Sequence, residues 1–210
     1  MKDNILITGS HGFIGSRIKG GKKLVGDIST YLVVKIQARY VKGIVHLAAK
    51  SNNRMCEDNE RETVLSNLLG LCNVLEVALA EKIWVLFIST HQVGDSTFYG
   101  LSKLMGEELC RLFQKRGLKV SILRLPIVYG ENDKQDKIVT KFINQLKQGI
   151  EPKIETDKPF YFAYVDDVIK VIEDEVHVLT WGRITGKQYL LTELSDGIKK
   201  CLERENNNDR

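Results

Sequence analysis

The sequence has few cysteines, and none of them is paired at short range. Its 210 residues include four, at wide separations and without a Cys-x-x-Cys pair: Cys56, Cys72, Cys110 and Cys201. Zinc sites and redox pairs usually bring such residues together in short motifs, so neither is encoded locally. We expect buried thiols in a reducing compartment.

A long apolar run is also missing. No stretch approaches the roughly 20 apolar residues that a membrane helix needs. The first residues run directly into the apolar residues 5–7, without the architecture of a signal peptide. We therefore expect a cytoplasmic protein with no membrane partner.

No single sign of charge dominates the chain. Lys and Arg number 31, Asp and Glu 27, the net charge is +4, and the basic residues are spread along the sequence. A nucleic-acid-binding face would concentrate them, so no nucleic-acid partner is expected. With 43% hydrophobic and 28% charged residues, the composition excludes a disordered or repetitive chain.

What the sequence does contain is an alternation of short apolar runs with longer stretches of helical period. The apolar runs predict strands at 4–8, 22–28, 43–49, 83–89 and 119–125. Apolar residues at three- and four-residue spacing predict helices around 60–80, 99–116 and 138–146, the last closed by Gly149. This alternation is typical of an α/β fold with a Rossmann-like, doubly wound parallel sheet.

The sequence changes character after residue 150, where prolines and an aromatic cluster appear. We predict a Rossmann-like domain over 1–150 and a small substrate-binding lobe over 151–203, interleaved with the first domain. The lobe ends in a short helix near 191–203. Residues 204–210 have no apolar anchor and are predicted to be a disordered tail.

The first predicted strand leads into three glycines with the spacing G-x-x-G-x-x-G, at Gly9, Gly12 and Gly15. Glycines allow a tight turn and close approach of the backbone to a pyrophosphate, and a following helix would present free N–H groups. Because the turn follows a strand at the start of an alternating chain, it favours phosphate binding over an ordinary glycine-rich loop.

Residues 8–15 resemble the cofactor turn of the short-chain dehydrogenase/reductase superfamily. Residues 45–49 and 26–28 resemble segments of its extended branch, the NAD-dependent epimerase/dehydratase family. The resemblance implies an NAD(P)-binding domain. It also implies these cofactor contacts: Gly9, Ser10, His11, Gly12, Phe13, Ile14 and Gly15 in the turn, Leu47, Ala48 and Ala49 after the third strand, and Asp27 and Ile28 at the adenine.

The chain is too short between Gly15 and Asp27 to hold the family's usual helix, second strand and second crossover, so it resembles a shortened member. Asp27 therefore has two interpretations. We favour the adenine contact, but Asp27 also lies 18 residues after Gly9, near the position of the acidic residue that bonds a ribose 2′-hydroxyl. In either case the strand predicted at 22–28 should lie beside the first strand. NAD is slightly favoured over NADP.

Tyr99 and Lys103 form a Tyr-x-x-x-Lys pair. Residues four apart share one face of a helix, so a phenol and an ammonium should lie side by side. We expect the cation to lower the pKa of Tyr99, so that the phenol exchanges a proton with a substrate hydroxyl or ketone, while Lys103 also reaches the nicotinamide ribose. The resemblance implies that Thr90 bonds the reacting substrate oxygen and that Asn67 stabilises the active-site helix.

Residues 123–130 resemble a family stretch beside nicotinamide and substrate, which implies Pro126 as a cofactor contact and Ile127 as a substrate contact. Ile127 replaces the asparagine that commonly grips the substrate diphosphate. The pair His91-Gln92 replaces the Asp-Glu of the family's dehydratases, which argues against a dehydratase. The other expected substrate contacts are Lys50, Ser51, His91 and Gln92.

The resemblance favours an NAD(P)-dependent nucleotide-sugar epimerase that works through a transient keto intermediate, with Tyr99 as general acid and base. A keto-sugar reductase using NAD(P)H is one alternative. A non-catalytic dinucleotide-binding sensor or partner subunit is another, motivated by the missing substrate contacts. The resemblance also implies a homodimer formed by the helices around 60–80 and 99–116. We expect no metal.

Overall fold

The computed structural model describes residues 4–156, 158–178, 182–183 and 186–208. The chain divides into two compact units. The first unit contains residues 1–125 and 166–184, and the second contains 126–165 and 185–210.

The first unit is built on a parallel sheet of six strands in the order β2-β1-β3-β4-β5-β8. The strands are β1 (Ile5–Thr8), β2 (Lys22–Lys23), β3 (Gly43–His46), β4 (Trp84–Thr90), β5 (Val120–Leu125) and β8 (Gly182–Arg183). The helices of this unit are α1 (Tyr31–Gln37), α2 (Asn53–Asp58), α3 (Glu60–Val64), α4 (Gly70–Glu81), α5 (Phe98–Lys115) and nearly all of α7 (Val165–Val178). The predicted α/β fold with a parallel sheet is confirmed.

The sheet is held by a core that its strands share with α1, α4 and α5. Leu6, Ile44 and Phe87 from the strands pack with Val34 and Leu71 from the helices, and all five are at most 1% exposed. These strand residues come from near-continuous apolar runs, as expected for parallel strands covered by helices.

The helical stretch from α3 to α4 is continuous, because a π-helical turn over Leu65–Leu69 joins them. By length and composition alone, Glu60–Glu81 is apolar enough to cross a membrane, so the expectation that no stretch reaches that length is wrong. Half of its most apolar window is buried inside the protein, and the core helix of a soluble protein passes the same test. Its hydropathy is therefore weak evidence for a membrane.

The segment between β1 and β3 differs most from the predictions. The strand predicted at 22–28 lies beside β1 as expected but is reduced to Lys22–Lys23. Gly20, Gly21 and Gly26 have φ of 76°, 75° and 107°, and these left-handed turns end the strand on both sides. The sequence analysis did not predict α1.

The second unit contains a three-stranded sheet in the order β6-β7-β9 and two helices. Its elements are β6 (Ile127–Tyr129), α6 (Ile138–Lys147), β7 (Phe160–Tyr164), β9 (Lys187–Tyr189) and α8 (Leu191–Asn208). Val139, Phe142, Phe162 and Leu191 form its core. Gly149, at φ 71°, donates from its N–H to the carbonyl of Leu146, which confirms the predicted helix end.

Two predicted boundaries differ from the structure. The first unit ends at Leu125 rather than at 150, because Pro126 lacks the N–H that would continue the β5 ladder and the next strand, β6, pairs with β7 instead. The predicted disordered tail is wrong for residues 204–208, which continue α8. Adding residues to an anchored helix is far easier than starting one. Residues 209–210 lie outside the described residues.

The predicted buried thiols are confirmed at Cys56 and Cys110. Burial raises the pKa of Cys110 to about 12 and raises that of Cys56, so both are poor nucleophiles. Cys72 is half-buried and Cys201 is exposed, so the expectation of burial is wrong for Cys201.

Candidate active site

The glycine-rich turn lies at the carboxyl end of β1, which is flanked by β2 and β3. The first connection leads from β1 to β2 on one side of it, and the next leads to β3 on its other side. Ligand crevices form where the strand order reverses in this way. Gly9 has a φ of 68°, and a Cβ there would lie 2.6 Å from the backbone nitrogen of Ala48. A Cβ on Gly15 would lie 2.3 Å from the carbonyl oxygen of Gly9. Both positions therefore require glycine.

The hydroxyl of Ser10, within the glycine turn, is buried but unpaired among the described residues. Its side chain is 2% exposed, and its hydroxyl has no hydrogen-bond partner among the described residues. Buried hydroxyls normally have a partner. An orphaned hydroxyl inside a cradle of bare backbone suits a phosphate oxygen, so the turn fits the pyrophosphate of a dinucleotide.

The expected helix after the turn is absent. Residues 11–17 form successive turns, in which Ser16 donates to the carbonyl of Gly12 and Arg17 to that of Ile14. The chain has too few residues between Gly15 and β2 for a helix and a return to the sheet. His11 and Gly12 are exposed, and Phe13 and Ile14 are half-buried.

The two residues predicted at the adenine have different environments. Asp27 is exposed, and its carboxylate accepts hydrogen bonds from the Ser29 N–H at 2.9 Å and hydroxyl at 2.7 Å. These bonds hold the pKa of Asp27 below its ordinary value, so it is ionised near neutrality. Ile28 is 7% exposed and packs in the core against Gly70, and its carbonyl accepts from Asn73. The Ile28 side chain therefore serves the core rather than a ligand surface.

The residues after β3 are fixed beside the glycine turn. The Ala48 N–H donates to the Thr8 hydroxyl oxygen at 3.2 Å, and the Leu47 N–H donates to the Thr8 carbonyl at 3.3 Å. Leu47, Ala48 and Ala49 are all half-buried. This places the backbone of Ala48 directly against Gly9, in the segment that the resemblance implies as a cofactor wall.

His46 ends β3 and is buried. Its Nδ1 shares a 2.8 Å hydrogen bond with the Thr8 hydroxyl, and its ring stacks on Phe87. Burial, with a smaller effect from the charge of Lys103, lowers the pKa of His46 to about 3. A neutral, buried ring fits the structural role that the sequence predicts for it.

Tyr99 lies in the first turn of α5, just beyond the end of β4. Thr97 caps this helix, accepting from the Gly100 N–H at 3.0 Å, and the Glu57 carboxylate accepts from the Phe98 N–H at 2.6 Å. Thr90 lies near enough to the Tyr99 phenol to act on it, and its side chain tends to lower the pKa of Tyr99. The structure therefore brings together the predicted acid–base group and the predicted partner of the reacting oxygen.

The expected effect of Lys103 on Tyr99 is wrong for this structure. Burial raises the pKa of Tyr99 to about 12, and the hydrogen bond to Thr90 opposes this only in part. The Lys103 ammonium instead donates to the carbonyl of Ile88 at 2.8 Å and lies 4.8 Å from the centre of the Phe87 ring. Burial lowers the pKa of Lys103 to about 8. Helical spacing places two residues on one face but does not decide which atom the ammonium contacts.

Asn67 lies in the π-helical turn and is 4% exposed. Its side-chain amide pairs with the backbone of Lys50, accepting from the N–H at 2.8 Å and donating to the carbonyl at 3.1 Å. It also donates to the Ser102 hydroxyl at 3.0 Å, which in turn donates to the Tyr99 carbonyl at 2.8 Å. Asn67 therefore ties the loop after β3 to the helix that carries Tyr99, as the resemblance implies.

Sequence reasoning missed Ser102, the link between Asn67 and Tyr99, and Glu107, a fully buried carboxylate on α5. A signal was present for Glu107, because Tyr99, Lys103 and Glu107 lie four residues apart and so on one helical face.

The expected substrate contacts are less closely defined. Ser51 is exposed, and Lys50 is half-buried with its ammonium paired to Glu62. His91 Nδ1 bonds the carbonyl of Leu125 at 3.2 Å, and the Gln92 N–H donates to Thr90 Oγ1 at 3.3 Å. The other expected contacts, Pro126 and Ile127, belong to the second unit, where Ile127 pairs with Phe162 in the sheet. Among the described residues, no cluster of three or more His, Cys, Asp or Glu side chains suits a metal ion.

Comparisons with known proteins show the family to which the chain belongs. The model of the NAD dependent epimerase/dehydratase family matches residues 32–179. A putative UDP-glucose 4-epimerase from Methanocaldococcus jannaschii is 29% identical over 93% of this chain and 81% of its own length. UDP-glucose 4-epimerase from Rickettsia canadensis is 30% identical over 72% of this chain and 46% of its own length.

Two solved structures share the fold. A double mutant of dTDP-glucose 4,6-dehydratase from Streptomyces venezuelae, with NAD bound, has a TM-score of 0.85 at 21% identity and covers 95% of this chain and 81% of its own. A mutant of UDP-glucuronic acid 4-epimerase from Bacillus cereus, in complex with NAD and a fluorinated UDP-sugar, also has a TM-score of 0.85 at 21% identity, covering 95% and 82%.

These findings define an α/β chain of the extended short-chain dehydrogenase/reductase type. It belongs to the NAD dependent epimerase/dehydratase family. The alignment with the M. jannaschii relative runs over 252 residues, more than the 210 of this chain, so that relative contains segments that this chain lacks. The prediction of a shortened member of an NAD-dependent enzyme family is confirmed.

Proposed function

We propose that the chain is an NAD-dependent nucleotide-sugar epimerase that inverts a sugar carbon through a transient keto intermediate. The observation that carries this proposal is the joined set of Thr90, Tyr99 and Asn67 at the carboxyl end of β4, beside a glycine turn that fits a dinucleotide. The UDP-sugar epimerases among the relatives support the substrate class.

Bound NAD would supply the site that accepts and returns a hydride. Tyr99 would take the proton of the substrate hydroxyl as the carbonyl forms and return it when the hydride comes back. Thr90, which lies beside Tyr99, would hold the same substrate oxygen. Because burial raises the pKa of Tyr99 to about 12, Tyr99 must first release its own proton to solvent before it can accept the substrate proton. The Lys103 charge would favour this release if the ammonium moved from the Ile88 carbonyl toward Tyr99.

The choice of NAD over NADP follows from local charges. Asp27 is an ionised, exposed carboxylate and would repel a 2′-phosphate. Two nearby cations already have partners: the Lys22 ammonium donates to the Gln37 carbonyl at 2.9 Å, and the Arg17 guanidinium donates to the Phe13 carbonyl at 2.6 Å. These contacts favour the uncharged ribose of NAD.

A keto-sugar reductase is the second candidate, and one observation favours it. The segment beside the adenine is reduced to a two-residue edge strand and an exposed Asp27, so it offers few atoms to retain a cofactor. A reductase must release its cofactor in every cycle, whereas an epimerase regenerates the cofactor in place.

The test is to incubate the protein with NAD and UDP-glucose or UDP-glucuronic acid and to follow the C4 epimer by chromatography. We expect interconversion without net NADH release. Tyr99→Phe should reduce turnover by roughly 10²–10⁴-fold and leave NADH binding intact, whereas Tyr40→Phe, at a 94% exposed position, should change neither. Stoichiometric NADH consumption with a keto-sugar would favour the reductase, and NADH binding without turnover would favour a sensor.

We also propose that the protein is a homodimer. A groove of about 580 Å³ lies between the α3–α4 stretch and α5, and Leu69, Met105 and Leu112 leave 41%, 47% and 55% of their surface exposed along it. A patch of this kind on two antiparallel copies can cover itself across a twofold axis. We expect a dimer in sedimentation analysis and a monomer for Met105→Glu. A wild-type monomer at high concentration would contradict the proposal.

A further inference from the structure

Glu107 places a negative charge inside the first unit, and no step of the proposed reaction uses it. Its side chain is fully buried and has four donors. The Ser89 hydroxyl and Arg124 Nε both donate to Oε1 at 2.7 Å. Arg124 Nη2 and Arg111 Nη2 donate to Oε2 at 2.6 Å and 3.2 Å. Burying such a group is costly, and an apolar replacement is often at least as stable, so its presence points to a role besides stability.

The donors to Glu107 lie next to the reaction groups. Ser89 immediately precedes Thr90 in β4, and Arg124 is its partner in the register of β4 with β5. On α5, Glu107 follows Lys103 by four residues and Tyr99 by eight, so all three share one face of the helix. A single carboxylate therefore joins the helix that carries Tyr99 to the strand that carries Thr90.

We propose that Glu107 is a positioning residue for the reaction: it fixes α5 against the end of β4, so that Tyr99 lies beside Thr90, and it places a negative charge one helical turn from Lys103. This inference rests on the proposed function. The geometric part concerns the placement of Tyr99 beside Thr90. The electrostatic part concerns the charge of Lys103 and is present without any ligand.

The charges around the two groups support the electrostatic part. Burial acts to raise the pKa of Glu107, but hydrogen bonds from Arg124 and Ser89 and the charges of Arg124 and Arg111 outweigh it and leave the pKa below its ordinary value. Glu107 is therefore ionised wherever Lys103 titrates. The groups that act to raise the pKa of Lys103 are, from the largest effect to the smallest, Cys110 of α5, Cys56 of α2 and Glu107 of α5. Lys103 in turn lowers the pKa of His46 of β3.

The test compares Glu107→Gln with Glu108→Gln, the same substitution one residue further along the helix. Glu108 is exposed, and among the described residues its carboxylate pairs with Arg111 alone. In Glu107→Gln we expect turnover to fall by roughly 10²-fold with a small change in KM. We also expect the titration midpoint of Lys103, followed by NMR of lysine-labelled protein without ligand, to fall by about half to one pH unit. Glu108→Gln should leave both unchanged.

The two readouts separate the inference from the proposed function. If the wild type shows no turnover but Glu107→Gln still lowers the Lys103 midpoint, the proposed function fails and the electrostatic part of the inference holds. If Glu107→Gln turns over normally, or if its Lys103 midpoint equals that of the wild type, the inference is overturned.

Arg124→Lys provides a second variant in case Glu107→Gln does not fold. It keeps the positive charge opposite Glu107 but cannot form both bonds of the guanidinium. We expect turnover to fall roughly tenfold while the Lys103 midpoint stays within about 0.2 units of the wild type. Unchanged turnover in this variant would contradict the positioning role.

Discussion

The crevice at the carboxyl ends of the strands in the first unit has two ends, and they differ in how much ordered structure surrounds them. At the reaction end, which contains Asn67, Ser102, Tyr99 and Thr90, Asn67 donates to the Ser102 hydroxyl, Ser102 donates to the Tyr99 carbonyl, and Thr90 lies beside the Tyr99 phenol. At the adenine end, residues 16–30 contain one two-residue strand and no α-helix. The residues around Tyr99 are therefore held by more hydrogen bonds and more regular structure than the segment that carries Asp27.

The largest expected effect tests the turn that both ends share. Gly15→Ala places a Cβ 2.3 Å from the Gly9 carbonyl oxygen, and neither backbone segment can move without opening the turn. We expect dinucleotide affinity, measured by calorimetry, to fall more than about 100-fold. Gly197→Ala is the matched control, since a Cβ there meets nothing within 4 Å. Normal affinity in Gly15→Ala would show that the turn is not the phosphate site.

The next largest effect is expected at Asn67, which ties the loop after β3 to α5. Asn67→Ala removes three hydrogen bonds, among them the one that the Lys50 N–H donates, so α5 loses its tie to the loop after β3. We expect kcat to fall by roughly 10²-fold with dinucleotide affinity nearly unchanged. The control is Asn144→Ala, on α6 in the second unit, which should leave kcat unchanged. Equal losses of kcat in both variants would mean that the tie between Asn67 and α5 does not matter for the reaction.

A third effect concerns the buried ring of His46 and the pH dependence of the free energy of unfolding. The pKa of His46 is about 3 in the folded chain and about 6.5 when unfolded, so below pH 6.5 the unfolded chain binds more protons and stability falls with falling pH. Between pH 7 and pH 5 this amounts to about 2 kcal/mol. Urea unfolding should show that His46→Gln lacks this part of the pH dependence, whereas His11→Gln, at an exposed position, retains it. Equal slopes in all three proteins would refute the linkage.

The smallest effect is expected at the adenine end. Asp27→Asn keeps the size of the side chain and removes its charge. We expect NADH affinity to fall less than about tenfold, NADPH affinity to rise, and kcat to stay the same. A loss as large as that of Gly15→Ala would mean that the adenine end holds the cofactor as firmly as the turn does, and the contrast between the two ends would be wrong.

Local patterns predicted most of the fold. All five predicted strands are present in the first unit, four of them near their predicted length, because near-continuous apolar runs between helical stretches suit parallel strands covered on both faces. The strand at 22–28 was overestimated, because its apolar residues Leu24 and Ile28 serve the core from irregular backbone. The helix α1 was not predicted, because its seven residues span only two turns and are too few to show a clear helical period.

The candidate site was predicted by position but not by contact. The resemblance and the helical spacing identified Tyr99, Lys103 and Asn67, and the structure connects Tyr99 to Asn67 through Ser102. Spacing alone does not predict that burial raises the pKa of Tyr99. It also does not predict that the Lys103 ammonium donates to the Ile88 carbonyl. The four donors to Glu107 come from three elements, and such a long-range set leaves no local pattern in the sequence.

Calorimetric titration with NADH and with NADPH, on purified protein freed of any bound cofactor, shows directly whether this shortened chain holds a dinucleotide site. We expect one NADH to bind per chain and NADPH to bind more weakly. Binding of neither dinucleotide would refute the proposed site.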